Sequence, residues 1–217
     1  GTVSITVTDI NDAPVVDLNG ASTGVDDTGL SNGVAFNPRG SAVYLFNANL
    51  TISDVDRVDS VKQAVVSLDP DTAVDNLSLY AIQEGITYET LSLDASVLPD
   101  GITVTGNGTG TDGLTDATEL TFTSINGSSD ADFKAALQTV LYNNSNPNAF
   151  AGTRKVAVQV WDQGYPDATA ADSVSAAATL DVHVNWGAVI DLNGADTASR
   201  NFGEPTPIPY TENQGFL

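Results

Sequence analysis

"KVAVQVW" (155–161) and "TLDVHV" (179–184) alternate apolar and polar residues one by one. Successive side chains of a strand point to opposite faces, so a period of two marks each run as a half-buried β-strand. Working outward, "LTISDVD" (50–56), "AVVSL" (64–68), "LSLYAI" (77–82) and "GITVTG" (101–106) read as further strands. Turn signals separate them: "NPRG" (37–40), "DPDT" (69–72), "LPDG" (98–101), "GNGTGTDG" (106–113), "NGSS" (126–129) and "DQG" (162–164). One segment breaks the rhythm. "SSDADFKAALQTVLY" (128–142) spaces Phe133, Ala136, Leu137, Val140 and Leu141 as a helix would, and Ser129 with Asp132 makes an N-terminal cap. The expected architecture is all-β: a sandwich of two sheets with one short helical crossover.

Composition agrees. The 217 residues are 41% apolar and contain 19 glycines and 9 prolines, with no cysteine. That length supports one large or two modest domains without covalent staples. Missing cysteines exclude disulfides, thiolate chemistry and cysteine-ligated zinc. The formal charge is -21, from 28 acidic and 7 basic residues. Of the acids, 23 are aspartate and 5 glutamate. Aspartate suits turns, caps and hard-cation sites, whereas helix surfaces favour glutamate. Such a charge has no means of neutralising phosphates, so nucleic acid is not an expected partner. No apolar run reaches transmembrane length, so membrane insertion is not expected either.

The chain echoes itself. "VVDLNGA" (15–21) returns as "VIDLNGA" (189–195), an offset of 174 residues, and "FNPRG" (36–40) is loosely matched by "TENQG" (211–215) at 175. "VSITVTDIN" (3–11) is echoed by "AATLDVHVN" (177–185). A tandem array with one unit per roughly 174 residues explains all three. Residues 1–12 are then the last strand and linker of one unit, 13–186 a complete unit, and 187–217 the start of the next.

"DINDAP" (9–14) resembles the Asp-x-Asn-Asp interdomain linker of the cadherin family. "LTISDVD", "LPDGITVTG", "FKAALQTVLYNNSNPNAFAGTRKVAVQVWDQG" (133–164) and "DLNG" are similar to the cadherin-like repeats of very large bacterial surface adhesins of the RTX type. The likeness runs over essentially the whole chain and is most specific from Phe133 to Gly164. It implies an Ig-like, cadherin-like sandwich with Greek-key connections that binds calcium at its junctions. It also implies an extracellular place on the bacterial cell surface, adjacent repeats of the same polypeptide as partners, and a host or neighbouring-cell ligand reached through other domains.

The acidic clusters admit two readings. Asp and Asn are ordinary turn residues, because their side chains bond nearby backbone. They are also oxygen donors on short levers, as calcium requires. "DINDAP" holds Asp9, Asn11 and Asp12 within four residues, "DVD" sets Asp54 and Asp56 two apart, and Asp162 closes a strand. By position in the family pattern, Asp9, Asn11, Asp12, Asp54, Asp56 and Asp162 become ligands of Ca2+ at one end of the sandwich, with further ligands from the preceding unit. The second junction has lost two carboxylates, since His183, Asn185 and Trp186 stand where Asp9, Asn11 and Asp12 stand in the first. Trp186 is either an apolar plate between units or a strand-end core residue.

His183, the single histidine, alternates with valines and reads as a strand-face residue without a paired nucleophile. The 106–114 segment reads as a mobile hairpin loop, and Arg154 as half of an exposed, weakly contributing ion pair. No enzymatic activity is expected. The expected role is a calcium-rigidified structural extender repeat of a surface adhesin. The alternative is an adhesive module that contacts carbohydrate or protein through its loops.

Overall fold

The computed structural model describes residue 3 and residues 11–18, 33–38, 40–55, 61–162 and 173–185, apart from the side chains of 125 and 126. The chain divides into two units, Gly1–Asn185 and Trp186–Leu217, and every described residue belongs to the first. Asp9, Asp56, Trp186 and the second "DLNG" copy lie outside the described residues.

The domain is β-rich and built on three sheets. The largest has six strands: β2 (Val34–Phe36), β11 (Ala178–Val184), β10 (Gly152–Asp162), β5 (Val61–Leu68), β8 (Glu119–Ser128) and β7 (Thr103–Gly106), in that spatial order. Its pairings are antiparallel except one. β2 runs parallel to β11, with Val34 opposite Val182 and Phe36 opposite Val184. A second sheet orders β3 (Val43–Tyr44), β9 (Val140–Asn144) and β6 (Glu89–Leu93). A two-stranded sheet pairs β1 (Val15–Asp17) with β4 (Thr51–Ser53).

Alternation does what the sequence says it should. Along β10 every second side chain is buried: Arg154, Val156, Val158, Val160 and Asp162. Ala64, Val66 and Leu68 of β5, Leu120 and Phe122 of β8, and Leu180, Val182 and Val184 of β11 share the same core. Phe36 of the large sheet meets Tyr142 of the three-stranded sheet edge to face, with ring centroids 5.1 Å apart at 90°. One apolar core therefore lies between the two sheets, and each buried Val or Leu contributes about 1.5–3 kcal/mol through lost water contact.

Among the described residues, two α-helices and a 3-10 turn (Ala95–Val97) stand where one helix was expected. Residues 79–84 of "LSLYAI" and its flank form helix α1 (Leu79–Glu84) and not a strand. The run alternates, but it carries both helix punctuation marks. The Ser78 hydroxyl accepts from the Ala81 N–H, and Gly85 closes the helix at φ 65°, a left-handed conformation that only glycine adopts cheaply. The crossover helix α2 (Asp130–Leu137) starts where expected, with Ser129 Oγ accepting from the Asp132 N–H at 3.0 Å and buried Phe133, Ala136 and Leu137 on one face. It ends early. Thr139 turns back on the Ala136 carbonyl through both its N–H and its hydroxyl, so Val140 and Leu141 open β9. The β-branched pair Thr139–Val140 favours that exit.

The 107–118 loop is an ordered, internally bonded hairpin. Asn107 Oδ1 accepts from the N–H groups of Thr118 and Glu119, and Thr109 pairs with Thr115 across the tip. Gly113 sits at φ +70°, and a Cβ there would lie 2.0 Å from the Gly106 carbonyl oxygen, so the backbones touch only because both residues are glycine.

Candidate functional site

The acidic end of the domain is assembled by three chain segments. Residues 11–14 lead into β1, whose Val15 pairs with Ser53, so Asp54 follows directly on the partner strand. Asp162 closes β10 opposite Val61, at the start of β5. Buried Asn11 donates its Nδ2–H to Asp162 Oδ2 at 3.0 Å, a contact between residues 151 positions apart. The same amide reaches the Asp12 carbonyl at 3.4 Å. Residues 11–14 are thus pinned onto the end of the central strand by a charge-assisted hydrogen bond in a buried setting.

Of the six sequence-predicted ligands, the structure joins Asn11 directly to Asp162 and sets Asp12 beside them in the chain. Asp12 is exposed, Asp54 half-buried and Asp162 buried. The donor set is all oxygen, which fits a hard divalent cation. Yet among the described residues no three acidic or histidine side chains form a group that could hold a metal ion. In the described arrangement Asn11 points its N–H, not its carbonyl oxygen, at Asp162; a cation there would need the amide turned over.

At the opposite end of β10 stands a group that the sequence reading placed wrongly. Arg154 is 1% exposed, and its partners Asp75 and Glu89 are fully buried. Its Nε donates to both Glu89 oxygens at 3.0 and 2.8 Å, and one terminal nitrogen donates to Asp75 Oδ2 and the Phe150 carbonyl, at 2.9 and 2.8 Å. The remaining carboxylate oxygens are occupied. Glu89 accepts from the Tyr142 hydroxyl and the Asp75 N–H, each at 2.9 Å. Asp75 accepts from the amides of Asn144 and Asn146 and from the Phe150 N–H. Two carboxyl groups share one guanidinium. Burial raises the Glu89 pKa above its ordinary value, outweighing the hydrogen bonds from Arg154 and the Asp75 backbone that pull it down. Burial, then the Glu89 charge, also pushes the Tyr142 hydroxyl far above its usual range, so it stays protonated and donates.

The signal for Arg154 was present in the alternation. Counting in twos from Val156, Val158 and Val160 puts Arg154 on the core face, and counting forward puts Asp162 there too. An inward-facing arginine requires buried acids, which Asp75 and Glu89 supply from the 69–89 region.

His183 Nδ1 lies 3.3 Å from Thr153 Oγ1, its cross-strand partner on β10. It is half-buried on the strand face, where alternation places it, and its buried Nε2 has no hydrogen-bond partner. A cavity of about 590 Å³ lies away from the acidic end, lined by residues including Ser67, Asn107, Glu119, Lys155 and Thr179. The sequence offers no cysteine. No helix among the described residues is long and apolar enough to cross a membrane.

No family model matches the chain, and no curated protein matches it. Among solved structures the chain is similar to the E. coli chaperone DraB, at 12% identity and a TM-score of 0.25, over 73% of this chain. It spans about half (53%) of that chain. A likeness this weak carries no argument about fold or function.

Proposed function

We propose that this chain is a structural extender repeat of a long bacterial surface adhesin, an Ig-like, cadherin-like sandwich with Greek-key connections whose junctions are stiffened by Ca2+. The observation that carries the reading is the Asn11–Asp162 contact. It draws the inter-unit segment onto the end of the central strand, beside the strand that delivers Asp54. Asn11, Asp12, Asp54 and Asp162 would hold the cation, with Asp9 and Asp56 on the same segments. Calcium neutralises converging carboxylates there and removes a hinge between units. Its partners are the adjacent repeats, its place is extracellular, and any surface ligand is met by other domains. Millimolar extracellular calcium suits modest-affinity sites of this kind.

Calcium that binds only the folded junction stabilises it by mass action, about 2.7 kcal/mol at a hundredfold excess over Kd. Thermal melts of the chain should therefore shift upward with calcium and return with chelator. Asp162→Ala should abolish the calcium-dependent shift while the melt without calcium still shows a folded domain. Equal melting with and without calcium in the unsubstituted chain would refute the proposal.

A further inference from the structure

Alternation along β10 carries Asp162 inward at the strand end, where a bulge between Trp161 and Asp162 moves its pairing to Val61. A carboxylate that is only 5% exposed needs donors, and the fold brings one from 151 positions away. Asn11, itself 6% exposed, gives its Nδ2–H to Asp162 Oδ2 at 3.0 Å. Chemistry fixes the orientation: an ionised carboxylate only accepts, so the amide must present its N–H. Pro14 is buried as well, while Asp12 between the two is exposed. Residues 11–14 are therefore seated at both ends, and Pro14 keeps Ala13 out of the helical region.

We infer that Asn11 is a cation-independent latch: it holds residues 11–14 on the end of β10 through protein atoms alone, so the segment is docked before any metal ion binds. A carboxylate at position 11 could do this only with a cation between it and Asp162, because two like charges at hydrogen-bond distance repel. The neutral amide avoids that requirement. The internal echo points the same way. In the second copy of the motif, His183 and Trp186 replace Asp9 and Asp12, yet Asn185 keeps the place of Asn11. An asparagine that works without a cation still serves a junction that has lost its carboxylates. The latch concerns the site proposed above for calcium, but it does not depend on calcium binding there.

Hydrogen exchange of the full chain in chelator at neutral pH, followed over residues 12–17, tests this. The unsubstituted chain should protect the segment. Asn11→Ala removes the bond, and Asn11→Asp sets a second carboxylate against Asp162. Each should speed exchange there by about 10- to 100-fold, the range that a hydrogen bond to a charged group supports. Amides of β5 and β8 should exchange as before. Protection of 12–17 that appears in the unsubstituted chain only with calcium overturns the inference. So does full protection in chelator in either variant. Equal loss of protection in β5 and β8 would make Asn11 a support of the whole fold and overturn it as well. Calcium added to Asn11→Asp reports on the other reading: restored protection places a cation between the two carboxylates, whereas a loss that persists upholds the latch and counts against the calcium site.

Discussion

Replacing Arg154 with methionine tests the buried ion cluster. Methionine keeps much of the side-chain volume and removes the charge and the fork of donors. Four hydrogen bonds disappear, and two fully buried carboxylates lose their counter-ion. Breaking one buried pair by deleting a partner costs about 3–5 kcal/mol, because the surviving charge stays desolvated. Here two survive at close range, so the loss belongs at the upper end, about 5 kcal/mol, before either carboxylate takes up a proton. A domain of this size loses roughly 2–4 °C of melting temperature per kcal/mol, which gives a fall of about 10–20 °C. Circular dichroism melts at neutral pH and fixed calcium measure it. Arg154→Lys should fall in between, since an ammonium keeps the charge but not the bidentate geometry. A loss below about 1 kcal/mol for Arg154→Met, the size of an exposed pair, would refute the cluster's importance.

Two further outcomes follow from described geometry. The folded Glu89 pKa is raised, so its contribution to stability is fully present below the unfolded value of 4.5 and fades as pH rises through the folded value. The stability of the unsubstituted chain relative to Glu89→Gln should therefore be greatest below pH 4.5 and decline as pH rises from there towards neutrality; a difference that grows with pH would contradict burial as the dominant cause. Gly113→Ala should destabilise by about 1–3 kcal/mol in a urea titration, combining a left-handed residue with a Cβ pressed on the Gly106 carbonyl. A neutral result would mean that the hairpin tip can open at no cost.

Much of the β framework was legible because a period of two is a local property. β10, and β5 from Ala64 onward, bury alternate residues; β11 does so too except that Asp181 is also buried, and Ser129 caps α2 where its hydroxyl and Asp132 said it would. Failures came where two local signals competed. At 77–82 alternation favoured a strand, but the Ser78 cap and the Gly85 stop decided for a helix whose apolar side chains stay outside. At 140 helical spacing continued on paper while Thr139 had already turned the chain. Arg154 was misjudged for another reason. A charged residue was assumed to face solvent, although its phase matched Val156, and its two acids sit 65 and 79 residues away in sequence. The acidic end was half legible: "DINDAP" named Asn11, but only the fold shows it resting on Asp162.

The parallel pairing of β2 with β11 has a consequence under load. Tension that enters ahead of β2 and leaves after β11 pulls two parallel neighbours in opposite directions along their common axis. Their hydrogen bonds, in register from Val34–Val182 to Phe36–Val184, are then strained together in shear and not peeled one at a time. A bond set loaded all at once resists more force than the same set opened like a zip. The short edge strand that lends Phe36 to the core thus also sits where it can act as the domain's tensile clasp.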